Sequence, residues 1–579
     1  MDCILTAGAD GETIRLRQDL PSFGKCQAAG RGMAGCRLAG VDMSEAGNDS
    51  RRAVSRVDSV RAGDVVELRI GALASDGRGI GRLTGLTGQD APGDRDASGA
   101  GLTVFVGGAL PGQMVRARIT TVRKRLAEAD VTAVVRPSPE EREALCPHGG
   151  RRIESGTGSE SGNGAECEGR WPGACGGCPW QGLRYDRQLF WKERILRDAL
   201  ERVGRLEDPP VLPVLASPRE WGCRNKMEFA FAPVGEGGAG FLPGGSGSGG
   251  GLVLGLRERA SRRVTPVTGC LMQSGRTMRL LEAMRGFAAD EGLSAWNPAS
   301  GQGLCRFLVT REPVGEAEAT PARGEAARAC LAELIVGPDL AADAAAAFGR
   351  RVAAALREAV PDLTGFVLSR RAAASDVAYG ETTLYREGET RLTERIGPLR
   401  VELGHDAFFQ VNTAAASLLY AEAARMADAG AARRFWDVYC GVGSLGLYLL
   451  KAGGLPRETE LTGIETMPGG VRMARRNAAA LGLERCRFVR GDAADVLRRL
   501  PGVPDVMTVD PPRAGLAPAV IRSILRVMPA RLVYVSCNPA TLARDAALLA
   551  PGFRLCRTRP VDLFPQTPHV ESVSLFVPR

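Results

Sequence analysis

Phe435-Trp-Asp-Val-Tyr-Cys-Gly-Val-Gly-Ser-Leu-Gly446 decides the fold of the last third of the chain. Phe435 to Tyr439 read as a buried strand. Gly441, Gly443 and Gly446 then form a loop whose backbone can approach a ligand closely, and the loop opens a helix. Moving outward, Leu461–Glu465, Cys486–Arg490, Asp505–Val509 and Leu532–Ser536 repeat the strand pattern. Helical segments such as Gly470–Leu481 and Pro518–Val527 lie between them, the second opening on a proline where a helix tolerates one. From about Val401 onward this alternation predicts a doubly wound, Rossmann-like α/β domain over 401–579. The three glycines match GxGxxG, so a dinucleotide site is the rival reading and the loop alone does not exclude it.

Ligands gather at the carboxyl ends of such strands, which makes the residues there the candidates for chemistry. Glu465 ends the second strand, where a carboxylate can accept from a pair of ribose hydroxyls, and Asp492 follows the third. With the glycine loop they give the layout of an S-adenosylmethionine site. Each acid alone reads equally well as a solvated turn carboxylate. Leu532-Val-Tyr-Val-Ser-Cys-Asn-Pro539 delivers Cys537 to a proline-stiffened loop, as a nucleophile would be delivered; an inert buried thiol is the bland alternative. Asp510-Pro-Pro-Arg513 precedes it by about 27 residues.

The rest of the chain divides by composition. Residues 1–57 lack periodicity and read as a mobile extension. Over 58–137, short runs (Asp64–Ile70, Leu102–Val106, Met114–Ile119, Ala129–Val135) between glycine turns predict a small OB-like β-barrel. Residues 138–400 form an α+β domain with a predicted helix, Gln181–Val203, whose buried stripe is Leu189, Ile195, Leu196, Leu200 and Val203. The run 244–251 is all Gly and Ser and marks a loop, and Gly315–Ala329 reads as a surface helix or tail-like insert.

Fifteen cysteines in a chain with no recognisable leader favour metal or catalytic roles over disulfides. Cys146, the pair Cys175-Gly-Gly-Cys178 and Cys270 supply four thiolates, a set that suits iron–sulfur or tetrahedral zinc. Cys167 is a competing ligand, while Cys223 is expected to pack and His148 to be a loop residue. The net charge of +9 is modest, but Arg116, Arg118, Arg123, Lys124 and Arg125 cluster, so an anionic partner is expected. No segment approaches a membrane span, and a cytoplasmic monomer without a membrane partner is the expectation.

Five motifs in order, Phe408-Phe-Gln-Val-Asn412, Asp437–Gly443, Asp510–Arg513, Ser536-Cys-Asn-Pro539 and His569-Val-Glu571, resemble those of the RNA uracil-5-methyltransferases over 58–579. The closest likeness is to the ribosomal-RNA branch, which has an amino-terminal TRAM barrel and an iron–sulfur cluster. The resemblance displaces the dinucleotide reading. It implies that Gln410, Tyr439, Ser444, Glu465, Asp492 and Asp510 contact the methyl donor, although Ser444 stands where the family has asparagine. It further implies that Cys537 is the nucleophile, Glu571 the base, and that Cys146, Cys175, Cys178 and Cys270 hold a [4Fe-4S] cluster in preference to zinc. Large-subunit (23S) ribosomal RNA is then the expected partner. The insert 149–174 departs from the family's short cysteine spacing.

His569 is the rival base, since period 2 would set it on the same face as Glu571. Arg513, Arg224 and Lys226 are candidate RNA contacts. The rival functions are a transfer-RNA uracil methyltransferase and a catalytically silent RNA-binding factor. A DNA cytosine methyltransferase is disfavoured because serine, not proline, precedes Cys537, and an amino-group methyltransferase because Arg513 follows Asp510-Pro-Pro where an aromatic residue is expected.

Overall fold

A computed structural model describes residues 60–83, 101–149, 175–234, 251–259, 261–313 and 329–579. The expectations for residues 1–57, the Gly/Ser run 244–250, the insert 315–328 and Cys167 lie outside the described residues.

Strands β1 (Val65–Leu73), β2 (Gly79–Leu83), β3 (Leu102–Gly107), β4 (Met114–Arg123) and β5 (Leu126–Arg136) close into a barrel in the order β1-β2-β3-β5-β4. Alternation makes this possible: Val66, Leu68, Ile70, Val104, Val106, Val115, Ala117 and Ile119 all point into one core. Closure removes free edges, so the basic run Arg123–Arg125 guards none. It is the exposed tip of the β4–β5 hairpin.

Helix α1 (Tyr185–Arg202) begins four residues after the expected Gln181, because Gln181 serves the cysteine loop instead, its Oε1 accepting from Cys146 N at 2.9 Å. Ile195, Leu196 and Leu200 are buried as the stripe requires, but Leu189 is only partly buried and Val203 is exposed. Gln188, Trp191 and Lys192 take their places. An apolar-stripe reading cannot find them, since Gln188 is buried on hydrogen bonds to Trp180 O, Leu183 O and Gln566 Oε1.

The central part contains β6 (Lys226–Pro233), β7 (Leu252–Arg257), β8 (Val264–Thr265), α2 (Gly275–Asp290), β9 (Cys305–Arg311), β10 (Leu331–Val336), α3 (Ala342–Ala359), β11 (Gly365–Arg370) and β12 (Thr382–Gly388). The strands form one sheet, β12-β11-β10-β9-β6-β7-β8. Leu280, Leu281 and Met284 of α2 and Val352 and Leu356 of α3 cover one of its faces. A hairpin, β13 (Arg391–Ile396) and β14 (Leu399–Gly404), leads onward.

The last part runs α4 (Thr413–Ala427), β15 (Arg434–Val438), α5 (Ser444–Lys451), β16 (Glu460–Glu465), α6 (Pro468–Ala480), β17 (Cys486–Arg490), α7 (Ala493–Arg499), β18 (Val506–Val509), α8 (Pro518–Val527), β19 (Arg531–Ser536), α9 (Pro539–Leu549), β20 (Phe553–Val561) and β21 (Glu571–Pro578). Its sheet order is β17-β16-β15-β18-β19-β21-β20, parallel except for β21, which runs antiparallel to both neighbours. Both faces are covered, one by Leu419, Leu447 and Leu449, the other by Leu196, Ile524 and Leu542. The strand order reverses between β15 and β18, and there an open α/β sheet has its ligand crevice. Among the described residues, no helix is long and apolar enough to cross a membrane.

Candidate active site

The crevice is built from the glycine loop. β15 stops at Val438 because Tyr439 turns left-handed, at φ 66°, and Gly441 and Gly443 follow at φ 54° and 80°. This conformation turns the chain sharply from strand into helix, with Cys440 N donating to Ile464 O at 3.0 Å and Gly443 N to Cys440 O at 2.8 Å. Gly441 N donates to Glu465 Oε2 at 3.0 Å, and Met467 N donates to Glu465 Oε1 at 2.7 Å, so the carboxylate at the end of β16 is fixed before any ligand arrives. Asp492 is exposed and caps α7 through bonds from Ala494 N and Asp495 N. Ser444 is buried with its hydroxyl 2.8 Å from that of Tyr420. Gln410 is buried too, and its carbonyl accepts from Asn225 Nδ2 at 2.9 Å. Asn412, which ends the same motif, caps α4 and donates to Leu563 O at 3.1 Å.

Sequence reasoning missed Asp437. Its buried carboxyl accepts from Gly446 N at 3.1 Å and Thr508 Oγ1 at 2.5 Å, tying the glycine loop to β18, and burial pushes it up to about 6. The signal was available as a lone acid inside an apolar strand. Gly446 cannot be larger here, since a Cβ would lie 2.7 Å from Asp437 Oδ2.

Cys537 and Glu571 meet because of strand register. The antiparallel β19–β21 ladder ends with Ser536 opposite Ser572, so Cys537 follows one strand of the pair and Glu571 begins the other, near enough for the carboxyl's charge to act on the thiol. Cys537 is partly buried in the gap between β19 and α9. Asn538 caps α9 and donates from Nδ2 to Arg513 O at 3.0 Å; Thr541 Oγ1 donates to the same carbonyl at 3.3 Å. These bonds clamp the Asp510–Arg513 loop to the cysteine loop.

The charges in this pocket are unbalanced. Burial pushes the Cys537 thiol up to about 12, with Glu571 and Asp510 adding and Arg513 opposing. Burial, then Asp510, holds Glu571 well above the usual carboxylate range, and burial, then Asp437, raises Asp510 to about 7. Among the described residues, two acids and one cation, Arg513, act on the thiol, so a cationic ligand would suit the site.

His569 and Glu571 do not share an environment. β21 begins at Glu571, which is buried, whereas His569 is exposed with its ring 5.7 Å from that of Phe564. Surrounding protein, then Arg513, Lys192 and Arg224, lowers its imidazolium to about 4. Of the other candidate contacts, Arg513 is exposed and Lys226 is paired with Glu228 at 2.6 Å.

Cys146, Cys175, Cys178 and Cys270 gather in one place, near enough for their charges to act on one another. Burial, with the neighbouring thiols adding, pushes Cys175 up to about 11 and Cys178 up to about 12. Gly177 N donates to Cys175 Sγ at 3.4 Å, and Arg224 adds positive charge. His148 bonds Thr268 rather than joining the sulfurs, and Cys223 is buried. Among the described residues no three potential ligands already stand at metal-binding separations. Four sulfur donors are of the type a thiophilic metal group takes.

The last part of the chain, residues 393–578, matches the tRNA (Uracil-5-)-methyltransferase family, and residues 60–132 match the TRAM domain. An uncharacterized RNA methyltransferase of Nitratidesulfovibrio vulgaris is 44% identical over 481 residues, covering 82% of this chain and 91% of that protein. One from Gloeobacter violaceus is 34% identical over 88% of this chain and 96% of that protein. A solved Pyrococcus abyssi tRNA (uracil-54, C5)-methyltransferase, in complex with S-adenosyl-L-homocysteine, shares the fold with a TM-score of 0.60 and 24% identity, over 88% of this chain and 100% of that one. This chain belongs to the RNA methyltransferases, in the uracil-5-methyltransferase family that carries a TRAM domain ahead of its catalytic domain.

Proposed function

We propose that the protein methylates carbon 5 of a uridine in large-subunit ribosomal RNA, taking the methyl group from S-adenosylmethionine and activating the base through a covalent bond to Cys537. The observation that supports this reading is that the end of the β19–β21 ladder brings the Cys537 thiol near the buried Glu571 carboxyl and Asp510. Carbon 5 of uracil is too weak a nucleophile to attack a sulfonium methyl unaided. Addition of the Cys537 thiolate to carbon 6 moves the electron pair of the 5,6 double bond toward O4, giving an enolate. Its carbon 5 takes the methyl group, and S-adenosylhomocysteine leaves. Glu571 then removes the proton from carbon 5 and the thiolate departs, restoring the double bond.

The sulfonium supplies the positive charge that the pocket lacks, favouring ionisation of Cys537 and Glu571 when the donor is bound. Gln410, Tyr439, the loop at Gly441 and Gly443, Glu465, Asp492 and Asp510 line its proposed site. Ser444 holds Tyr420 from behind the loop. The target must leave the RNA stack to be reached, and the hairpin tip Arg123–Arg125 offers phosphate contacts.

The four cysteines are assigned to a [4Fe-4S] cluster, with zinc the lesser alternative. When bound, such a group supplies a rigid sulfur-ligated crosslink. Anaerobically purified protein is expected to carry iron and sulfide, and Cys175→Ser to lose both; zinc without sulfide would reverse the assignment.

Transfer RNA is the second reading, because residues 393–578 match the tRNA (Uracil-5-)-methyltransferase family and the Pyrococcus enzyme, named for transfer RNA, shares the fold over most of this chain. The deciding experiment is incubation with S-adenosylmethionine and unmodified total RNA, with 5-methyluridine mapped by mass spectrometry. Label confined to large-subunit RNA is expected. Label in transfer RNA would move the protein to the other branch, and RNA binding without label would make it a silent binding factor.

A further inference from the structure

The central sheet holds a cavity that methyl transfer leaves unused. Residues alternate along β9 and β10, so Leu308 and Leu334 face α2 and α3 while Phe307, Val309 and Ile335 face the other way. On that second face lies a cavity of about 320 Å³, lined by four arginines and one aspartate together with Phe231, Trp296, Phe307 and smaller residues.

Its walls are flat and cationic. The Arg306 guanidinium lies 3.7 Å from the Trp296 ring centre, and that of Arg257 lies 5.9 Å from the Phe307 ring centre. Arg306 is buried with no direct ion pair among the described residues, held by the carbonyls of Arg371, Ala373 and Ser375 at 2.8–2.9 Å, while Asp376 and Glu381 act on it from farther off. Its Nε and the indole nitrogen of Trp296 are buried with no hydrogen-bond partner among the described residues. Asp376 is occupied by Arg257 at 2.5 Å, and Arg263 pairs with Glu258 at 2.8 Å. Arg262, exposed at the rim, has no carboxylate partner among the described residues. Aromatic and guanidinium planes inside, with spare positive charge at the rim, match an unstacked nucleotide: the base lies on the planes and its phosphate on Arg262. An acidic peptide would use the charge and leave the aromatic chamber unfilled.

The cavity is joined to the reaction site by contact. The strand end that carries Arg257 continues to Arg259, which donates to Asp76 O of the barrel at 2.7 Å. The adjacent Gly77 packs so closely on Pro568 that a Cβ would lie 2.8 Å from it, three residues before Glu571. We propose that the cavity seats a second unstacked nucleotide of the RNA substrate, distinct from the methylated uridine, so that only an RNA able to present both is held in register. The proposal rests on the RNA methylation reading above.

Two variants at exposed positions test it, Ala299→Trp to fill the cavity and Arg262→Glu to reverse the rim charge. In steady-state methylation of ribosomal RNA, both are expected to raise the KM for RNA by about fivefold to a hundredfold, the range of one base–aromatic stack. The kcat at saturating RNA and the KM for S-adenosylmethionine should not move. RNA substituted with 4-thiouridine should crosslink to the Trp296–Ala299 loop in the wild type and not in Ala299→Trp. An unchanged KM in Ala299→Trp with no crosslink to the loop, while the wild type still methylates RNA, overturns the proposal and leaves the enzyme reading intact. A rise in Arg262→Glu alone also overturns it, reducing the rim to a phosphate contact. If the wild type methylates no RNA at all, the enzyme reading and this one fall together.

Discussion

The proposed mechanism gives Glu571 and Cys537 separable duties, so a substitution at each should stop the reaction at a different point. Glu571→Gln keeps the shape and hydrogen-bonding capacity of the side chain but removes the base. Addition and methyl transfer should still proceed, leaving a methylated RNA–protein adduct that releases product about 10²–10⁴-fold more slowly. Intact-protein mass spectrometry would detect it, and free turnover at the wild-type rate would exclude Glu571. The thiol itself should report the pocket's charge. With its pKa at about 12 in the cofactor-free protein, Cys537 is a neutral thiol at pH 7, so its alkylation rate, followed on its own peptide, should rise about tenfold per pH unit between 7 and 10. Bound S-adenosylmethionine should shift that profile to lower pH. Asp510 gives a sign that can be checked by stability. Its folded pKa, about 7, lies above that of a free carboxyl, so its ionisation opposes folding increasingly from about pH 4 to 7 and fully above. Asp510→Asn should therefore raise the melting temperature more at pH 8 than at pH 5 while lowering activity.

At the scale of elements, strands β15 to β19 were legible because each is a short run, mostly apolar, followed by a glycine, an acid or a proline, and their bounds moved by one residue or less, whereas β20 was not read. Tyr439 fell out of β15 for a reason sequence periodicity does not carry, its left-handed backbone. The pairing of β21 beside β19 was not legible, because antiparallel insertion depends on tertiary packing, and with it went the placement of His569. The motif identified Cys537 and Glu571 as candidates, but only the pairing of β19 with β21 explains why they come near each other. Asn538 joins α9 to the Asp510–Arg513 loop. Asn538→Ala should cost about 1 kcal/mol in denaturant unfolding as a lost cap, and should lower kcat more than that loss of stability implies, because the clamp goes too. An unchanged kcat would make the bond to Arg513 O incidental.

At the scale of the whole molecule, polar contacts that no pattern rule predicts hold the parts together. Lys192 of α1 is fully buried and donates to Asp562 and, at 2.9 Å, to Phe564 O, while Tyr185 OH donates to Asp562 at 2.8 Å. Trp180, just past the cysteine pair, donates through its backbone N to Gln566 O at 2.9 Å and packs with Leu73 of the barrel and Val570. The cysteine loop, the barrel and the segment leading into β21 thus share one small core. Lys192→Ala leaves Asp562 buried without its cation and should cost about 3–5 kcal/mol in denaturant unfolding, whereas Lys192→Met should cost less because the stem is still packed. What that shared core serves, in this account, is the covalent step. The most direct measurement uses RNA containing 5-fluorouridine, whose fluorine Glu571 cannot remove as it would a proton. Incubated with S-adenosylmethionine, the wild-type protein should form a denaturation-resistant RNA complex whose only modified peptide carries Cys537, and Cys537→Ala should form none. A complex that persists in Cys537→Ala, or methyl transfer without any complex, would contradict the account.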